Sequence, residues 1–275
     1  GFFWEYMEIP QKNDDNALEM YTLQCRNHIL KPLAEKYGID TSDEAIRAAV
    51  EQHNEVCRLI RAIGDFRKEA NPRVTGYEFH ILTLVSYVAP KHLIVDKLRE
   101  TLEEIKTREP DAADKYRARV VFVGSEVDDV DVIRLVEESG AYVCADRFCY
   151  GSLPGRDEIL LNDDEDVVKQ VCRQVQGRAQ CPRYWDMAKM TGRRDYVADL
   201  AKEYGADGII YEQMKFCDPW AYERMIGTIV LRDEHGYPVL AVDRPYSIGS
   251  SGQMRTRVQA FVESIEIKKI QGGKK

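Results

Sequence analysis

The sequence predicts an α/β fold in which a Rossmann-like, doubly wound parallel sheet of about four strands is preceded by a helical segment. Four short, β-branched apolar runs lie in the second half of the chain, and segments of helical periodicity separate them. This alternation is typical of parallel sheets with helices on both faces. It is absent from the first part of the chain, so we predict a division into residues 1–112 and 113–275.

The first part is predicted to contain one opening strand followed by helices. The apolar run "FFWEYMEIP" ends at Pro10, and we interpret it as a strand. Three stretches with the apolar spacing of amphipathic helices follow, and Pro90 interrupts the last of them. These stretches are residues 15–35, 41–70 and 75–107.

The second part contains the predicted sheet and the helices that cover it. Ligands of open parallel sheets bind beyond the carboxyl ends of the strands, so the four loops that follow the strands are the places to look for a site. The loops are "GSEVDD", "ADRFCYGS", "MKFCDPW" and "DRPYSIGSSGQ". The predicted strands are residues 119–124, 141–146, 207–212 and 238–243.

Composition and charge narrow the function classes. The 275 residues carry 39 Lys and Arg against 47 Asp and Glu, a net charge of -8, which argues against an extended nucleic-acid or acidic-membrane surface. The sequence has no apolar stretch of the roughly 20 residues needed to cross a bilayer, and its opening does not resemble a signal peptide. We therefore expect a cytoplasmic protein.

The cysteines and the common catalytic motifs are the next constraint. Seven cysteines in a chain of this length favour reduced thiols or metal ligation over a disulfide framework. No CxxC occurs, and the spacing of Cys144 and Cys149 matches no common zinc pattern. Walker A, GxGxxG, HExxH and GxSxG motifs are also missing, so the sequence makes no case for nucleotide binding, zinc hydrolysis or a serine triad.

Cys217 stands out because it lies between a predicted buried strand and the start of a helix. A helix N-terminus favours a thiolate, which both metal binding and nucleophilic attack require. The alternative is a buried structural thiol, since free cysteine is among the most buried residue types. The local sequence leaves both interpretations open.

The loop "YSIGSSGQMRTR" is a candidate binding site for an anion or a substrate. Its backbone N–H groups, hydroxyls and arginines precede or open a helix, where a phosphate or carboxylate can bind. The alternative is an ordinary N-cap with solvated arginines. The candidate residues are Ser250, Ser251, Gly252, Gln253 and Arg255. The loop "DRFCYGS", with Asp146, Arg147, Cys149 and Gly151, either lines a cleft or forms a simple turn.

Taken together, two motifs carry a family resemblance. "DGIIYEQMKFCDPWAYE", and after one more strand "DRPYSIGSSGQMRTRVQAFVE", resemble the C-terminal half of the iron-sulfur subunits of 2-hydroxyacyl-CoA dehydratases and benzoyl-CoA reductases. The helical stretch "TSDEAIRAAVEQHNEVCRLIRAIGDFRKEANPRVTGYE" is similar to the helical segment of that family. The resemblance extends over about residues 5–264.

The resemblance implies a cofactor, partners and a reaction. Three cysteines of each subunit hold a 4Fe-4S cluster in the family; the third matches Cys217, and the first two lie in an N-terminal domain that precedes this segment. The implied subunit pairs with a homologous second subunit. An ATP-dependent activator then delivers one electron, and a 2-hydroxyacyl-CoA thioester loses water through a ketyl radical.

Other functions stay open at this point. Within the enzyme class, the resemblance is compatible with a benzoyl-CoA reductase-type or a double-cubane reductase subunit. A non-catalytic docking subunit without its own cluster is an alternative from another class. A CoA-binding or nucleotide-binding module that uses the "GSSGQ" helix start is a third.

Overall fold

The computed structural model describes residues 4–110, 115–152, 157–184, 186–246 and 251–272. The chain forms two compact units. The first comprises Gly1–Glu55 and Asp157–Met190, and the second comprises Val56–Arg156 and Thr191–Lys275. The predicted division at residue 112 stays a prediction, because compactness alone does not establish independently folding domains.

The first unit is helical. Asp14 caps its first helix by accepting the N–H of Ala17 at 2.9 Å, and a π-helical segment, Arg26–Leu30, continues the chain without a break. A small apolar core around Leu18 and Val168 holds the unit together. Its helices are α1 (Asp15–Cys25), α2 (Lys31–Tyr37), the first part of α3 (Asp43–Asp65), α7 (Val167–Arg178) and the start of α8 (Met187–Glu203).

The second unit opens with helices that build their own core. Thr75 and Glu78 form a capping box at the start of the helix Gly76–Val88. The box satisfies backbone N–H groups that a helix start leaves free. Pro90 separates that helix from the next, as the sequence predicts. Apolar residues such as Ile63, Phe79 and Leu98 are fully buried between the helices. The helices are the remainder of α3, a 3-10 turn (Phe66–Lys68), α4 (Gly76–Val88) and α5 (Lys91–Thr107).

The sheet of the second unit has four parallel strands in the order β2-β1-β3-β4. Strands of a parallel sheet are buried on both faces, so their sequences are short and nearly continuous apolar runs. The chain leaves β1 toward β2 and later returns to the other side of β1, so the order of strands reverses between β1 and β3. The strands are β1 (Ala118–Val123), β2 (Ala141–Arg147), β3 (Gly208–Met214) and β4 (Val239–Arg244).

Helices cover both faces of this sheet. One apolar cluster joins strand residues such as Phe122 and Ile210 to α6 (Val130–Glu138) and α10 (Ser251–Gly272). A second cluster joins strand residues such as Val121 and Ile209 to α8 and to α9 (Asp218–Asp233). The predicted α/β class with a doubly wound parallel sheet of four strands, preceded by helices, is therefore confirmed.

The predicted opening strand is wrong. Residues 4–10 have no regular secondary structure, and large side chains of this segment, such as Trp4 and Tyr6, are exposed. The N–H of Glu8 donates to the Gln24 side chain at 3.0 Å instead of to a neighbouring strand, and a strand is stable only when its backbone is paired.

Among the described residues, no helix combines the length and apolarity that a membrane span requires.

Candidate functional site at the carboxyl edge of the sheet

The candidate site lies in the second unit, where the four strands end. The parallel register places Met214, the last residue of β3, opposite Arg244, the last residue of β4. The loop that follows β1 lies beside them, at the point where the strand order reverses. In doubly wound sheets this is the position at which ligands bind.

A buried hydrogen-bond network ties the ends of β1 and β3 together. The carboxylate of Glu212, which has no exposed surface, accepts the N–H of Ser125 at 3.1 Å and its hydroxyl at 2.9 Å. The same hydroxyl accepts the N–H of Met214 at 2.6 Å. One serine therefore fixes the loop after β1 to the end of β3, and its polar atoms are satisfied within the fold.

Arg244 closes the network from the side of β4. Its Nε lies 2.8 Å from Glu212 Oε1, and its Nη atoms donate to the carbonyls of Glu126, Pro245 and Tyr246. Both side chains are almost completely buried, so the ion pair offsets only part of the solvation that each charge loses. Gly124 makes this packing possible, since a Cβ there would lie 2.4 Å from the Glu212 carbonyl oxygen.

Two carboxyl groups at this edge have their pKa raised into the neutral range. Burial raises the pKa of Glu212 to about 7, against the lowering effect of Arg244 and Ser125. Burial and the neighbouring Asp128 raise the pKa of Glu126 to about 7. The hydrogen bond from Glu126 in turn lowers the pKa of Asp128, which also accepts the Tyr246 hydroxyl at 2.8 Å. Glu212 and Glu126 can therefore hold or release protons near neutral pH.

Cys217 lies at the same edge, in the turn between β3 and α9. Its N–H donates to the Met214 carbonyl at 3.1 Å, and its own carbonyl accepts the N–H of Ala221 at 3.0 Å, so it is the N-cap residue of α9. The side chain is half-buried. The preceding Phe216 has φ 73° and is 97% exposed. A bulky residue in the left-handed region is strained, and such strain is concentrated at functional sites.

A buried arginine cluster lies beside the first turn of α9. The Arg147 guanidinium at the end of β2 stands 4.7 Å from the Trp220 ring centroid, in the range of a cation-π contact. One turn further along α9, the buried Glu223 carboxylate pairs with Arg193 at 3.2 Å and Arg194 at 3.0 Å. The cluster thus contains three arginines and one carboxylate. Burial lowers the pKa of Arg147.

The predicted anion site is only partly within the described residues. Ser250 lies outside them, and of Ser251 only the backbone, at the start of α10, is described. Gln253 lines a pocket together with Arg244 and other residues of β4, α6 and α10. Arg255 forms an ion pair with Glu138 at 2.9 Å. Gly252 lies in the first turn of α10, with open space where a Cβ would be. Binding by these five residues stays a prediction.

The loop after β2 is tied to the edge as well. Asp146, buried at the end of β2, pairs with Arg67 at 2.9 Å and accepts the Ser152 N–H at 2.6 Å. Cys149 is exposed, and its N–H donates to the Ser125 carbonyl at 3.0 Å. The turn interpretation of "DRFCYGS" accounts for these contacts.

Sequence reasoning missed Ser125, Glu212 and Arg244 as the centre of the edge. One signal was present: Glu212 follows the apolar run "GIIY", and a carboxylate that continues a buried strand needs a hydrogen-bond or charge partner. The partner, Arg244, lies 32 positions further along, so only the strand register brings the two together.

A 4Fe-4S cluster needs several cysteine thiolates, and the described residues meet that need only in part. Cys217 offers one half-buried thiol at an accessible edge. Within the described ranges, no group of three or more His, Cys, Asp or Glu side chains is arranged to hold a metal ion. The residues therefore fit a single ligand and not a complete cluster site.

Comparisons with known proteins agree with one another. Residues 3–265 match the protein family described as 2-hydroxyglutaryl-CoA dehydratase, D-component. The (R)-phenyllactyl-CoA dehydratase beta subunit of Clostridium sporogenes is 25% identical over 259 residues, which cover 94% of this chain and 67% of the relative. A benzoyl-CoA reductase subunit of Thauera aromatica is 23% identical over 273 residues, with 97% and 68% covered. The (R)-2-hydroxyglutaryl-CoA dehydratase beta subunit of Acidaminococcus fermentans is 24% identical over 265 residues, with 94% and 68% covered.

Proposed function

Because the chain belongs to the 2-hydroxyglutaryl-CoA dehydratase D-component family, we propose that it is a subunit of an oxygen-sensitive iron-sulfur enzyme that dehydrates 2-hydroxyacyl-CoA thioesters. The observation that carries this proposal is the match over residues 3–265, which also confirms the resemblance predicted from the motifs. We place the enzyme in the cytoplasm, with a homologous second subunit and an ATP-dependent activator as its protein partners. We propose neither a nucleic-acid nor a membrane partner.

In this proposal Cys217 supplies one thiolate ligand to a 4Fe-4S cluster, and the other ligands come from outside the described residues. Its position supports this role: the thiol is half-buried, at the N-terminus of α9 and at the carboxyl edge of the sheet. A thiolate is favoured at a helix N-terminus. The bound cluster would supply one-electron chemistry, which a thioester carbonyl needs in order to form a ketyl radical.

The chain's own residues prepare the edge for such chemistry. The network of Ser125, Glu212 and Arg244 holds the strand ends in fixed positions, so the turn that carries Cys217 starts from a rigid base. The arginine cluster beside Trp220 places positive charge next to the first turn of α9. We propose that this charge favours bound anionic groups near the thiol, including a thiolate.

The ligand role is tested by iron and sulfide analysis of the anaerobically purified full-length protein. We expect Cys217→Ser to lose most of the iron and sulfide of the unsubstituted protein. Cys149→Ser is the matched control, because Cys149 is an exposed cysteine of the same edge and its substitution should leave the iron content unchanged. Equal iron in the Cys217→Ser protein and in the unsubstituted protein would contradict the ligand role.

A benzoyl-CoA reductase-type subunit is the second candidate, favoured by the match to the Thauera protein over 97% of this chain. A double-cubane reductase belongs to the same class of alternatives. With an activator, ATP and a reductant present, the dehydratase releases water from a 2-hydroxyacyl-CoA, whereas the reductase consumes benzoyl-CoA. A full-length protein that binds its homologous partner but contains no iron would instead indicate a non-catalytic docking subunit.

A further inference from the structure

Two cysteines of the first unit lie in direct contact. The Sγ atoms of Cys25 and Cys172 are 3.5 Å apart, and the Cys172 thiol donates to Cys25. The two residues are 147 positions apart in the sequence, on α1 and α7. Both are free thiols. A disulfide needs an S–S distance of about 2.0 Å, so the two sulfur atoms would have to approach each other by about 1.5 Å to form a covalent bond.

The surroundings give the two thiols different access. Cys25 is half-buried, and Met7 Sδ lies 3.9 Å from its sulfur. Cys172 is 3% exposed and belongs to the apolar core of the first unit, with Leu18 and Val168. An oxidant from solution therefore reaches Cys25 more readily than Cys172.

The backbone at Cys25 is unusual in a way that supports a special role. Cys25 is the last residue of α1, and the chain continues as the π-helical segment Arg26–Leu30 before α2 begins. Single π-helical turns inside α-helices are rare and occur frequently at functional sites.

Hydrogen bonding divides the chemical roles within the pair. Because the Cys172 thiol donates to Cys25, it favours the thiolate of Cys25, and the pKa of Cys25 is lowered. The pKa of Cys172 is raised by the same hydrogen bond and by burial. The thiolate is the nucleophile in thiol oxidation, so Cys25 is suited to react first and Cys172 to resolve the product.

We propose that Cys25 and Cys172 form a redox pair that closes to an intramolecular disulfide when the protein meets a peroxide. The Cys25 thiolate attacks one oxygen of hydrogen peroxide, the O–O bond breaks, and a sulfenic acid and hydroxide form. The Cys172 thiol then attacks the sulfenic sulfur, and the S–O bond breaks as the disulfide forms. In sum, two thiols and one hydrogen peroxide give one disulfide and two waters, with two electrons passing from sulfur to oxygen.

The disulfide would link α1 to α7 and so restrain the helices of the first unit. A low-molecular-weight thiol would reverse the reaction by exchange. This pair is independent of Cys217, which belongs to the second unit, so loss of the proposed cluster role would leave this proposal unaffected.

Peptide mapping of the full chain tests the proposal without any substitution. The chain is treated with a slight molar excess of hydrogen peroxide, blocked with iodoacetamide and digested without reduction. Trypsin should release residues 13–26 and 170–173, which carry one cysteine each, as one linked species that separates on reduction. Thiol titration of the denatured protein should find two fewer thiols than the seven of the reduced chain.

Three variants sharpen this test. Cys25→Ser and Cys172→Ser should each abolish the linked species. Cys181→Ser, which changes another half-buried cysteine of the same unit, should retain it. Circular dichroism shows whether each variant is folded. If a variant does not fold, the peptide map of the unsubstituted chain by itself tests the proposal. Cys25 recovered as a sulfinic acid without a crosslink, or linked to a different cysteine, would overturn the proposal.

Discussion

The buried ion pair between Arg67 and Asp146 gives the sharpest stability prediction, through the substitution Asp146→Asn. The pair joins the 3-10 turn after α3 to the carboxyl end of β2, and its side chains are 1% and 5% exposed. The substitution keeps the size of the side chain and an oxygen that can accept the Ser152 N–H, but removes the negative charge. In the variant, the Arg67 guanidinium carbon would still lie 3.6 Å from the centroid of the Phe79 ring, but Arg67 would no longer be paired with the Asp146 carboxylate.

The expected loss of unfolding free energy is about 3 to 5 kcal/mol, the cost of leaving one member of a buried ion pair without its counter-charge. A matched control lies on β4, where Asp243 pairs with Arg224 at 2.8 Å but has 53% of its side chain exposed. Water replaces that contact at little cost, so Asp243→Asn should change the free energy by about 0 to 1 kcal/mol. Each variant exchanges a strand Asp of the same unit for Asn.

Equilibrium urea denaturation, followed by circular dichroism, measures both variants against the unsubstituted chain. A lower midpoint at an unchanged slope for Asp146→Asn indicates lost stability rather than altered compactness. Equal losses for the two variants would refute the reasoning, because burial would then have no influence on the value of the counter-charge.

Two further predictions concern the network at the edge of the sheet. Burial raises the pKa of Glu212 from 4.5 to about 7, so the folded chain keeps a proton that the unfolded chain has lost; unfolding free energy should fall by about 3 kcal/mol from this group as pH rises through that interval. Glu212→Gln removes this contribution, so the unfolding free energy of the variant should fall less between about pH 5 and about pH 8 than that of the unsubstituted chain. Urea denaturation at the two pH values measures this change, and an equal change in both proteins would contradict the prediction. Gly124→Ala places a Cβ 2.4 Å from the Glu212 carbonyl oxygen and should lower the melting temperature through a loss of about 1 to 3 kcal/mol. Gly192→Ala, in open space on α8, should leave stability unchanged or raise it by up to about 1 kcal/mol, and a similar loss in both proteins would contradict the packing argument.

Local sequence pattern was sufficient for most of the fold. The apolar runs from which the four strands were predicted owe their composition to burial on both faces, and periodicity records burial directly. Pro90 marked the break between α4 and α5 for a covalent reason, because proline has no backbone N–H. The opening run "FFWEYMEIP" has the composition of a strand, but composition cannot supply a neighbouring strand, and residues 4–10 have none.

The site was predictable where its elements are contiguous in sequence. Cys217 was placed correctly at a strand end and helix start, since three consecutive features of "MKFCDPW" define that turn. The pairing of Glu212 with Arg244 depends on strand register, and the contact of Cys25 with Cys172 depends on how two helices pack. Interactions across such distances are set by tertiary structure, for which a single sequence carries no local signal.

The side chains at the point of strand reversal also have a consequence for access. The opening between β1 and β3, which many doubly wound proteins leave to a nucleotide or flavin, is here bridged by the Ser125 hydroxyl, the Glu212 carboxylate and the Arg244 guanidinium. A molecule entering there would have to break a buried ion pair and strip Arg244 of three carbonyl acceptors. These contacts occupy the space between the strand ends, whereas Phe216, beside Cys217, is 97% exposed, so approach from solution is directed to the turn of Phe216 and Cys217.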